Sequence, residues 1–420
     1  MDWKTRRTGR HNLDRAEESL EELSELAVSA GGSVAGQILQ SRVAPEAATL
    51  VGQGKVEEIA ASVRSSSADT VIFDHDLTPT QQRNLEKAIG SKVIDRTQLI
   101  LDIFASRART KEGRLQVELA QLNYLLPRLA GRGTEMSRLG GGIGTRGPGE
   151  TQLETDRRRI ARRIKKLEDE LDSVRAGRAL HRRRRSAVPL ATLALAGYTN
   201  AGKSTLFNRL TRAGVLTDAR MFATLDPTVR PLVLPSRRRV LVSDTVGFIR
   251  NLPTTLVKAF RATLEEVKEA ALVLHVVDVS APSSPEHTKH VRQVLSEIGA
   301  AEIPQLLVMN KIDRLPEPEG DLDARARRLL GAGESRVVEG AVAVSALTGA
   351  GMDQLLQRID EILPLDPIVR TTLKLRAGDG ATLALLHEFG RVLDTRYHRE
   401  FCEVDAEIPE SLRRRVTALK

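Results

Sequence analysis

The chain has 420 residues, of which 41% are hydrophobic and only 3% aromatic, and it carries a net charge of +9 at pH 7. This length and apolar content predict two to four globular domains with mainly aliphatic cores, and they exclude global disorder. The single cysteine, Cys402, excludes a disulfide framework and a cysteine-based metal site, and no stretch reaches the roughly 18 apolar residues of a membrane-spanning helix. We therefore expect a cytoplasmic protein without a membrane span.

The first hundred residues are predicted to form a small α/β unit. Helical periodicity alternates there with short apolar runs that are bounded by turn residues. Helices are predicted at residues 20–30, 54–59 and 79–89, and strands at residues 33–40, 70–73 and 92–95.

Two amphipathic helices with alternating four- and three-residue apolar spacing follow this unit. The spacing runs through Leu115, Leu119, Leu122, Leu126 and Leu129, and again through Ile160, Ile164, Leu167, Leu171 and Val174. It predicts an antiparallel helical hairpin. Residues 131–149 between the helices contain eight glycines and are predicted to form a long flexible tip. The tip includes a GxGxxG pattern, but this follows a helix rather than a strand, so we reject a dinucleotide site.

The positive charge of the chain is concentrated in the same hairpin. Residues 128–185 contain 17 Arg or Lys and 8 Asp or Glu, and 17 − 8 = +9 equals the net charge of the whole chain. Such a concentration indicates a polyanionic partner, and the scarcity of aromatic residues favours contact with RNA phosphates over base stacking. A solvated helix face with a basic linker is the alternative. The candidate RNA contacts are Arg132, Arg138 and Arg146 in the tip and Arg157, Arg158 and Arg159 in the second helix.

An octapeptide with the pattern GxxxxGK[ST] lies between an apolar run at residues 190–196 and a helical pattern that begins at Thr205. Glycines in a strand–loop–helix turn let backbone N–H groups surround phosphate oxygens, and the helix N-terminus adds a positive dipole end. We expect Lys203 to contact the β- and γ-phosphates and the Ser204 hydroxyl to bind Mg²⁺. The candidate nucleotide-binding residues here are Gly197, Tyr198, Thr199, Asn200, Ala201, Gly202, Lys203, Ser204 and Thr205.

Two further segments are typical of nucleotide switches. Asp244 and Gly247 form a DxxG pattern after a strand predicted at residues 240–243. We expect Asp244 to hold Mg²⁺ through water and the Gly247 N–H to contact the γ-phosphate. A loop before them carries Thr224 and Thr228, one of which is expected to complete the Mg²⁺ shell when a γ-phosphate is present. Spacing alone does not choose between these threonines.

The sequence Asn310-Lys311-Ile312-Asp313 after an apolar run at residues 305–309 predicts guanine selectivity. The Asp313 carboxylate can accept two hydrogen bonds from guanine, and adenine lacks that donor pair. We expect Asn310 to hold guanine N7 and the Lys311 stem to pack on the base. Alone, this tetrapeptide also fits a polar turn, but its position after a phosphate loop and DxxG favours guanine. A third loop, of Ser345, Ala346 and Leu347, is expected to offer the Ala346 N–H to the guanine carbonyl.

The remaining candidate features are structural. None of the eight histidines has the spacing of a metal site. His275, in a strand predicted at residues 271–277, is expected to be a hydrogen-bonded core residue, and His287 and His290 are expected on a solvated helix face. Near the C-terminus, strands are predicted at residues 371–375 and 401–406 around a helix at residues 380–392.

These segments together resemble the HflX family of GTPases, over roughly residues 15–400. Residues 53–58, 95–97 and 103–108 resemble the N-terminal domain of the family, residues 139–154 resemble its glycine-rich signature, and residues 222–228 and 244–253 resemble its switches. The resemblance implies a protein that binds the large ribosomal subunit and splits stalled or idle ribosomes. It also implies that the N-terminal domain and the hairpin enter the peptidyl transferase region, where the glycine-rich tip would meet ribosomal RNA.

The resemblance also bears on individual residues. It favours Thr224 over Thr228, because related GTPases carry a similar FxTL segment. Many GTPases have a glutamine after DxxG, whereas this chain has Phe248, so we expect weak hydrolysis alone and stimulation by ribosomes. Asn200 resembles the asparagine of potassium-activated GTPases, which makes K⁺ a candidate cofactor beside GTP or GDP and Mg²⁺.

We therefore expect an α/β protein with a P-loop GTPase domain, whose mostly parallel sheet has helices on both faces. The predicted regions are an N-terminal α/β domain (1–108), the helical hairpin (109–187), the GTPase domain (188–365) and a small C-terminal α+β domain (366–420). The candidate catalytic residues are Lys203, Thr224 and Gly247, and the candidate Mg²⁺ ligands are Ser204, Thr224 and Asp244. We expect a monomer. The alternatives are a non-catalytic RNA-binding ribosome assembly factor and a GTPase of RNA modification.

Overall fold

The computed structural model describes residues 9–42, 44–129, 148–185, 190–212, 221–222, 228–250, 266–316, 322–330, 338–364, 366–376 and 378–418. The chain divides into two compact units. The first comprises Met1–Val174, Leu216–Asp226 and Val246–Thr263, and the second comprises Arg175–Val215, Pro227–Thr245 and Leu264–Lys420. The architecture is α/β, as the alternation of helical and strand patterns predicts.

The first unit is mainly helical around a two-stranded parallel sheet. Its strands are β1 (Thr70–Phe73) and β2 (Lys92–Asp95), which pair in register from Thr70 opposite Lys92. Its helices are α1 (Gly9–Ser29), α2 (Gln53–Ser66), α3 (Pro79–Ile89), α4 (Arg96–Arg107), α5 (Lys111–Leu129) and the first part of α6 (Pro148–Arg185).

Local sequence explains the boundaries of α3. The Thr78 side chain accepts a hydrogen bond from the Gln81 N–H, and the Gln81 side chain accepts one from the Thr78 N–H, which forms a capping box ahead of Pro79. Gly90, with φ of 82°, ends the helix in the left-handed region. The buried face of α3 joins α2, β1 and β2 in an apolar core of Val56, Ile59, Val63, Phe73, Leu77, Leu85, Ile89 and Val93.

The strand predicted at residues 33–40 is wrong. The segment is extended, but it forms no ladder, and within the described part of this unit only β1 and β2 pair as strands. Its residues are mostly exposed, including Val34 at 42%, and although Ile38 packs against the core of this unit, little buried surface rewards strand formation. Gly36 further weakens strand propensity at its centre.

The predicted helical hairpin is present in α5 and α6. Leu115, Leu167 and Leu171 form its buried cluster. Arg163 donates two hydrogen bonds to the Glu118 carboxylate, at 2.6 and 2.7 Å. Leu115 of α5 clusters with Leu167 and Leu171 of α6, whereas the later Glu118 pairs with the earlier Arg163. The two helices therefore run antiparallel. The glycine-rich tip lies outside the described residues.

The second unit contains a six-stranded sheet in the order β4-β5-β3-β6-β7-β8. The strands are β3 (Thr192–Gly197), β4 (Thr228–Val233), β5 (Arg239–Asp244), β6 (Leu272–Asp278), β7 (Gln305–Asn310) and β8 (Val338–Ala343). All neighbours are parallel except β4, which pairs antiparallel with β5. The mostly parallel sheet is thus confirmed.

Helices cover both faces of this sheet. They are α7 (Lys203–Thr211), α8 (Ser284–Glu297), α9 (Leu322–Leu330) and α10 (Met352–Ile362), with a 3₁₀ turn at Ile312–Arg314. On one face, Leu206 of α7 and Leu355 of α10 pack with the sheet residues Leu195 and Val308. On the other face, Leu329 of α9 packs with Leu307 and its neighbours. The carboxyl ends of the parallel strands therefore meet at one edge of the sheet, where ligands bind in this class of fold.

The C-terminal part of the second unit is a three-stranded antiparallel sheet in the order β10-β11-β9. The strands are β9 (Ile368–Arg376), β10 (Arg391–Tyr397) and β11 (Phe401–Pro409), with helices α11 (Gly380–Phe389) and α12 (Glu410–Ala418). The helix predicted at residues 380–392 ends at Phe389, and β10 begins two residues later. A side chain at Gly390 would collide with Ile408, so glycine permits the chain to turn closely against β11.

In the described part of the chain, no helix combines the length and the apolar character needed to cross a membrane.

Candidate nucleotide-binding site

The predicted phosphate loop, residues 197–202, joins the end of β3 to the start of α7. Its glycines are required by close packing: a Cβ at Gly197 would collide with the Val276 carbonyl oxygen, and one at Gly202 with the Asn310 amide. Gly202 has φ of 91° and Asn200 has φ of 61°, both in the left-handed region. The loop therefore turns sharply and presents backbone at the N-terminus of α7.

Lys203 is buried beneath this loop. Its Nζ donates to the carbonyl oxygens of Gly197 and Tyr198, at 3.1 and 2.8 Å. Burial lowers the pKa of Lys203 to about 8, although Asp244 acts in the opposite direction. The Thr199 hydroxyl is also buried and has no hydrogen-bond partner among the described residues. A desolvated ammonium and an orphaned hydroxyl beside a helix N-terminus fit an anionic ligand such as a phosphate group.

Two oxygen-bearing side chains lie where a magnesium ion is expected. Ser204 Oγ donates to Asp244 Oδ2 at 2.9 Å, and Asp244 is 1% exposed at the end of β5. A hydroxyl and a carboxylate are hard oxygen ligands of the kind that Mg²⁺ takes together with water and phosphate oxygens. The donor set therefore fits Mg²⁺. Among the described residues, no group of three or more His, Cys, Asp or Glu side chains could hold a metal by itself.

The other predicted switch residues are placed separately. Thr224 lies outside the described residues. Gly247 is buried and belongs to the segment Val246–Thr263 of the first unit. Thr228 begins β4, where it pairs opposite Asp244 in the antiparallel ladder.

Asn310 joins the phosphate loop to the two predicted base-recognition loops. Its Nδ2 donates to the Ala201 carbonyl oxygen at 2.8 Å, and its Oδ1 accepts from the Ala346 N–H at 3.0 Å. The Ala346 N–H, which we expected to face guanine, is therefore directed at Asn310. The sequence gives no signal for these contacts, because they join positions that are far apart in the chain.

Asp313 is exposed at the mouth of this site. Its Oδ1 accepts a hydrogen bond from Ser345 Oγ at 2.5 Å, which orients the carboxylate. Lys311 adopts φ of 68°, and its Nζ pairs with Asp278 Oδ2 at 2.7 Å, so its stem is fixed beside the loop. Leu347 is 71% exposed. The structure thus gathers Asn310, Asp313 and Ser345 at neighbouring strand ends.

The expectations about the histidines are met only in part. His275 is buried, but its Nε2 has no hydrogen-bond partner among the described residues, and burial lowers its pKa to about 3, which keeps the imidazole neutral. His287 and His290 do not form a freely solvated face, because both contact Tyr198 of the phosphate loop.

Residues beside the predicted switches pack within the first unit, which the sequence analysis missed. The Met221 N–H donates to Ser29 Oγ at 2.9 Å. Phe222 meets Phe104 of α4 edge-on, with ring centroids 4.6 Å apart. Arg250 lies 3.9 Å from the Glu18 carboxylate of α1. The large apolar side chain of Phe222 in a loop was the available signal.

The candidate RNA contacts of α6 are exposed. Arg158 pairs with Glu154 at 2.6 Å, and Arg159 pairs with Asp156 at 3.7 Å, on side chains that are 68% and 74% exposed. Arg157 is exposed as well. Such surface pairs are weak, so the guanidinium groups can exchange carboxylates for phosphates. Arg132, Arg138 and Arg146 lie outside the described residues.

Sequence models of three families match the chain. They are described as the GTP-binding GTPase N-terminal region (residues 17–105), the GTP-binding GTPase middle region (107–185) and a 50S ribosome-binding GTPase (192–311).

Curated relatives and a solved structure are also similar. "GTPase HflX" of Caldanaerobacter subterraneus subsp. tengcongensis is 48% identical over 95% of this chain and 90% of the relative. "GTPase HflX" of Escherichia coli K12 is 44% identical over 95% of this chain and 90% of the relative. A crystal structure of a GTP-binding protein from Sulfolobus solfataricus in complex with GDP is 26% identical, covers 83% of this chain and 96% of that one, and has a TM-score of 0.46.

Proposed function

Because the chain belongs to the HflX family of GTPases, it binds and hydrolyses GTP, and we propose that it acts on the ribosome. In the proposal, the GTP-bound protein associates with the large ribosomal subunit and splits stalled or idle ribosomes. The observation that carries it is the antiparallel α5–α6 hairpin, which carries exposed arginines and holds residues 130–147 between its helices. The match to a family described as a 50S ribosome-binding GTPase supports the same partner.

The geometry of the site supports the following proposed nucleotide roles. The backbone of residues 197–202 and Lys203 hold the β- and γ-phosphates, with Thr205 in the first turn of α7. Asp313 accepts hydrogen bonds from guanine while Ser345 orients it, and Asn310 fixes the loops around the base.

In the proposed site, Mg²⁺ is held by Ser204, by Thr224 and, through water, by Asp244. When bound, Mg²⁺ neutralises negative charge on the phosphates. Thr224 is the proposed switch residue because the β4 ladder already fixes Thr228 opposite Asp244. The Gly247 N–H is proposed to contact the γ-phosphate.

Hydrolysis by the free protein is proposed to be slow. Phe248 directly follows Gly247 of the DxxG pattern and is 2% exposed. Its ring can neither orient nor deprotonate the attacking water. We propose that the ribosome orders the switch segments, and that K⁺ beside Asn200 adds positive charge. Turnover measured in KCl and in NaCl, each with and without large subunits, tests both parts. Fast turnover by the free protein in NaCl would exclude both.

The hairpin is proposed to contact ribosomal RNA through phosphates. Replacing Arg157, Arg158 and Arg159 with alanine should weaken binding to large subunits. It should also flatten the dependence of affinity on salt, because fewer phosphate contacts mean that fewer counterions are released on binding. A matched triple variant at Arg325, Arg327 and Arg328 of α9 removes the same charge elsewhere and should bind as the wild type does. GTP affinity of the free protein should be unchanged in both variants. Equal salt dependence in the two triple variants would make the α6 arginines a solvated face.

We further propose that the four predicted regions act as separate domains and that the protein is a cytoplasmic monomer.

A further inference from the structure

The second residue of the phosphate loop is clamped by an aromatic stack from outside the loop. Tyr198 is 5% exposed, and its ring lies parallel to the His287 imidazole, with centroids 3.7 Å apart and planes 6° apart. His290, one turn further along α8, meets the Tyr198 ring edge-on at 6.3 Å. The edge-on His290 contact lies within the range of about 4.5–7 Å for favourable aromatic pairs, and the His287 imidazole lies closer still, in face-to-face contact with the Tyr198 ring. A helix that the sequence motifs do not include therefore contacts the loop directly.

The helix that supplies these rings is fixed against the sheet. Val291, Val294 and Leu295 of α8 are buried, and the Thr288 hydroxyl is buried and donates to the Ser284 carbonyl oxygen at 2.8 Å. His287 precedes Thr288 directly, so its imidazole projects from a part of the helix that has a buried, packed face. A ring on such a support can restrain a loop that packs against it.

The backbone of Tyr198 holds the loop and its lysine. The Tyr198 carbonyl oxygen accepts from the Ala201 N–H at 3.3 Å, which closes the turn, and from Lys203 Nζ at 2.8 Å. The conformation that these bonds hold includes Asn200 and Gly202 in the left-handed region. A non-glycine residue in that region persists only where its surroundings over-determine it. The stack on Tyr198 is one such restraint at the first turn of the loop.

We propose that His287 is a positioning residue for GTP binding, and that by stacking on Tyr198 it holds the phosphate loop in the conformation that accepts the nucleotide. The inference rests on the proposed phosphate-binding role of the loop. His287 is not proposed to touch phosphate. It acts through the Tyr198 ring, and the ring position sets the Tyr198 carbonyl that closes the loop.

The size and kind of the effect follow from this role. Aromatic pairs in proteins contribute about a 2- to 12-fold change in an equilibrium constant. Losing the stack lets the loop populate other conformations, and the fraction of closed loop then limits affinity. Once phosphates are bound, they hold the loop themselves. We therefore expect Kd and KM for GTP to rise by roughly 2- to 12-fold in His287→Ala, with kcat changed by less than about twofold.

The experiment uses the full-length protein and five variants: His287→Ala, His287→Phe, His290→Ala, Lys289→Ala and Lys203→Ala. Lys289 is exposed on the same helix between the two histidines and serves as the matched control. Calorimetry gives Kd for GDP and for a non-hydrolysable GTP analogue, steady-state kinetics give KM and kcat, and circular dichroism reports folding. Phenylalanine preserves the stack, so we expect His287→Phe to restore Kd, His290→Ala to weaken binding less than His287→Ala, and Lys289→Ala to behave as the wild type.

Two outcomes would overturn the inference. One is a His287→Ala variant that is folded and binds with wild-type Kd. The other is a His287→Phe variant that binds no better than His287→Ala, because the imidazole nitrogens rather than the stack would then matter. Lys203→Ala separates this failure from failure of the proposed site: if Lys203→Ala also binds as the wild type does, the phosphate loop itself is misassigned.

Discussion

The side-chain amide of Asn310 donates a hydrogen bond to the Ala201 carbonyl oxygen at 2.8 Å, across 109 residues of sequence. The same side chain accepts the Ala346 N–H at 3.0 Å, and it is 1% exposed. One buried amide therefore joins the phosphate loop to the loop that carries Ser345. Both halves of the amide are used, since its nitrogen donates and its oxygen accepts.

Replacing Asn310 with aspartate should uncouple these loops. A carboxylate cannot donate to the Ala201 carbonyl oxygen and would place negative charge against it, at a cost of about 1–3 kcal/mol. We expect the Kd for GDP to rise by about 5- to 150-fold, measured by calorimetry. Asn84→Asp makes the same chemical change at an exposed bond to the Ala48 carbonyl oxygen and should leave Kd unchanged. Equal Kd values in both variants would contradict the coupling.

Asp313→Asn should change base preference. The asparagine amide would present a donor toward the guanine amine, whereas xanthine has an acceptor there. We expect weaker GTP binding and a preference for xanthosine triphosphate, measured by competition between the two nucleotides. Asp353→Asn, an exposed substitution in the first turn of α10, is the control. A wild-type preference for GTP in Asp313→Asn would show that this carboxylate does not read the base.

Nucleotide binding should be linked to protonation of Lys203. Burial lowers its pKa from 10.5 to about 8 in the free site, and phosphate charge favours the ammonium and raises that pKa. Binding should therefore take up protons above about pH 8, and GTP affinity should fall as the pH rises from about 8 to about 10. Calorimetry at about pH 8.5 in two buffers of different ionisation enthalpy measures the uptake. Proton release at this pH would contradict the assignment.

The same shift has the opposite consequence for the nucleotide-free protein. The ammonium forms more readily in the unfolded chain, so its burial opposes folding below about pH 8. The contribution of Lys203 to stability should therefore rise between about pH 8 and about pH 10.5. Denaturation across this range, compared with Lys203→Met, isolates the contribution of the amine. A wild-type minus variant difference that does not change with pH would exclude it.

Arg128 should stabilise the fold rather than contact RNA, although it belongs to the basic segment 128–185. Its Nη2 donates to Asp95 Oδ2 at 2.9 Å and to the Leu77 carbonyl oxygen at 2.8 Å, and its guanidinium lies 3.4 Å from the Tyr124 ring centroid. Asp95 is fully buried. Removing one member of such a pair costs about 3–5 kcal/mol. We expect Arg128→Met to lower the local opening free energy of α5 and β2, measured by hydrogen exchange.

The hairpin offers a matched control for Arg128. Arg163 pairs with Glu118 at 2.6 Å, but both side chains are 40% exposed. Exposed pairs contribute about 0–1 kcal/mol, so Arg163→Met should change exchange little. Equal exchange in the two variants would show that burial of Asp95 does not determine the strength of its pair.

Sequence alone located the elements whose signals are local. The boundaries of α3 follow from Thr78, Pro79 and Gly90, and apolar runs mark the strands of the large sheet. Strand formation at residues 33–40 could not be judged locally, because it depends on a partner that the described fold does not supply. The contacts of Asn310 and His287 could not be predicted from the sequence either. They join distant positions by side-chain geometry, which periodicity does not encode.

Sucrose-gradient sedimentation of intact ribosomes with the full-length protein tests the central proposal most directly. With a non-hydrolysable GTP analogue, we predict that the intact-ribosome peak falls, that free subunits rise, and that the protein sediments with the large subunit. With GDP, the ribosome profile should be unchanged. An intact peak in both nucleotide states, with the protein remaining at the top of the gradient, would contradict the proposal that this GTPase acts on ribosomes.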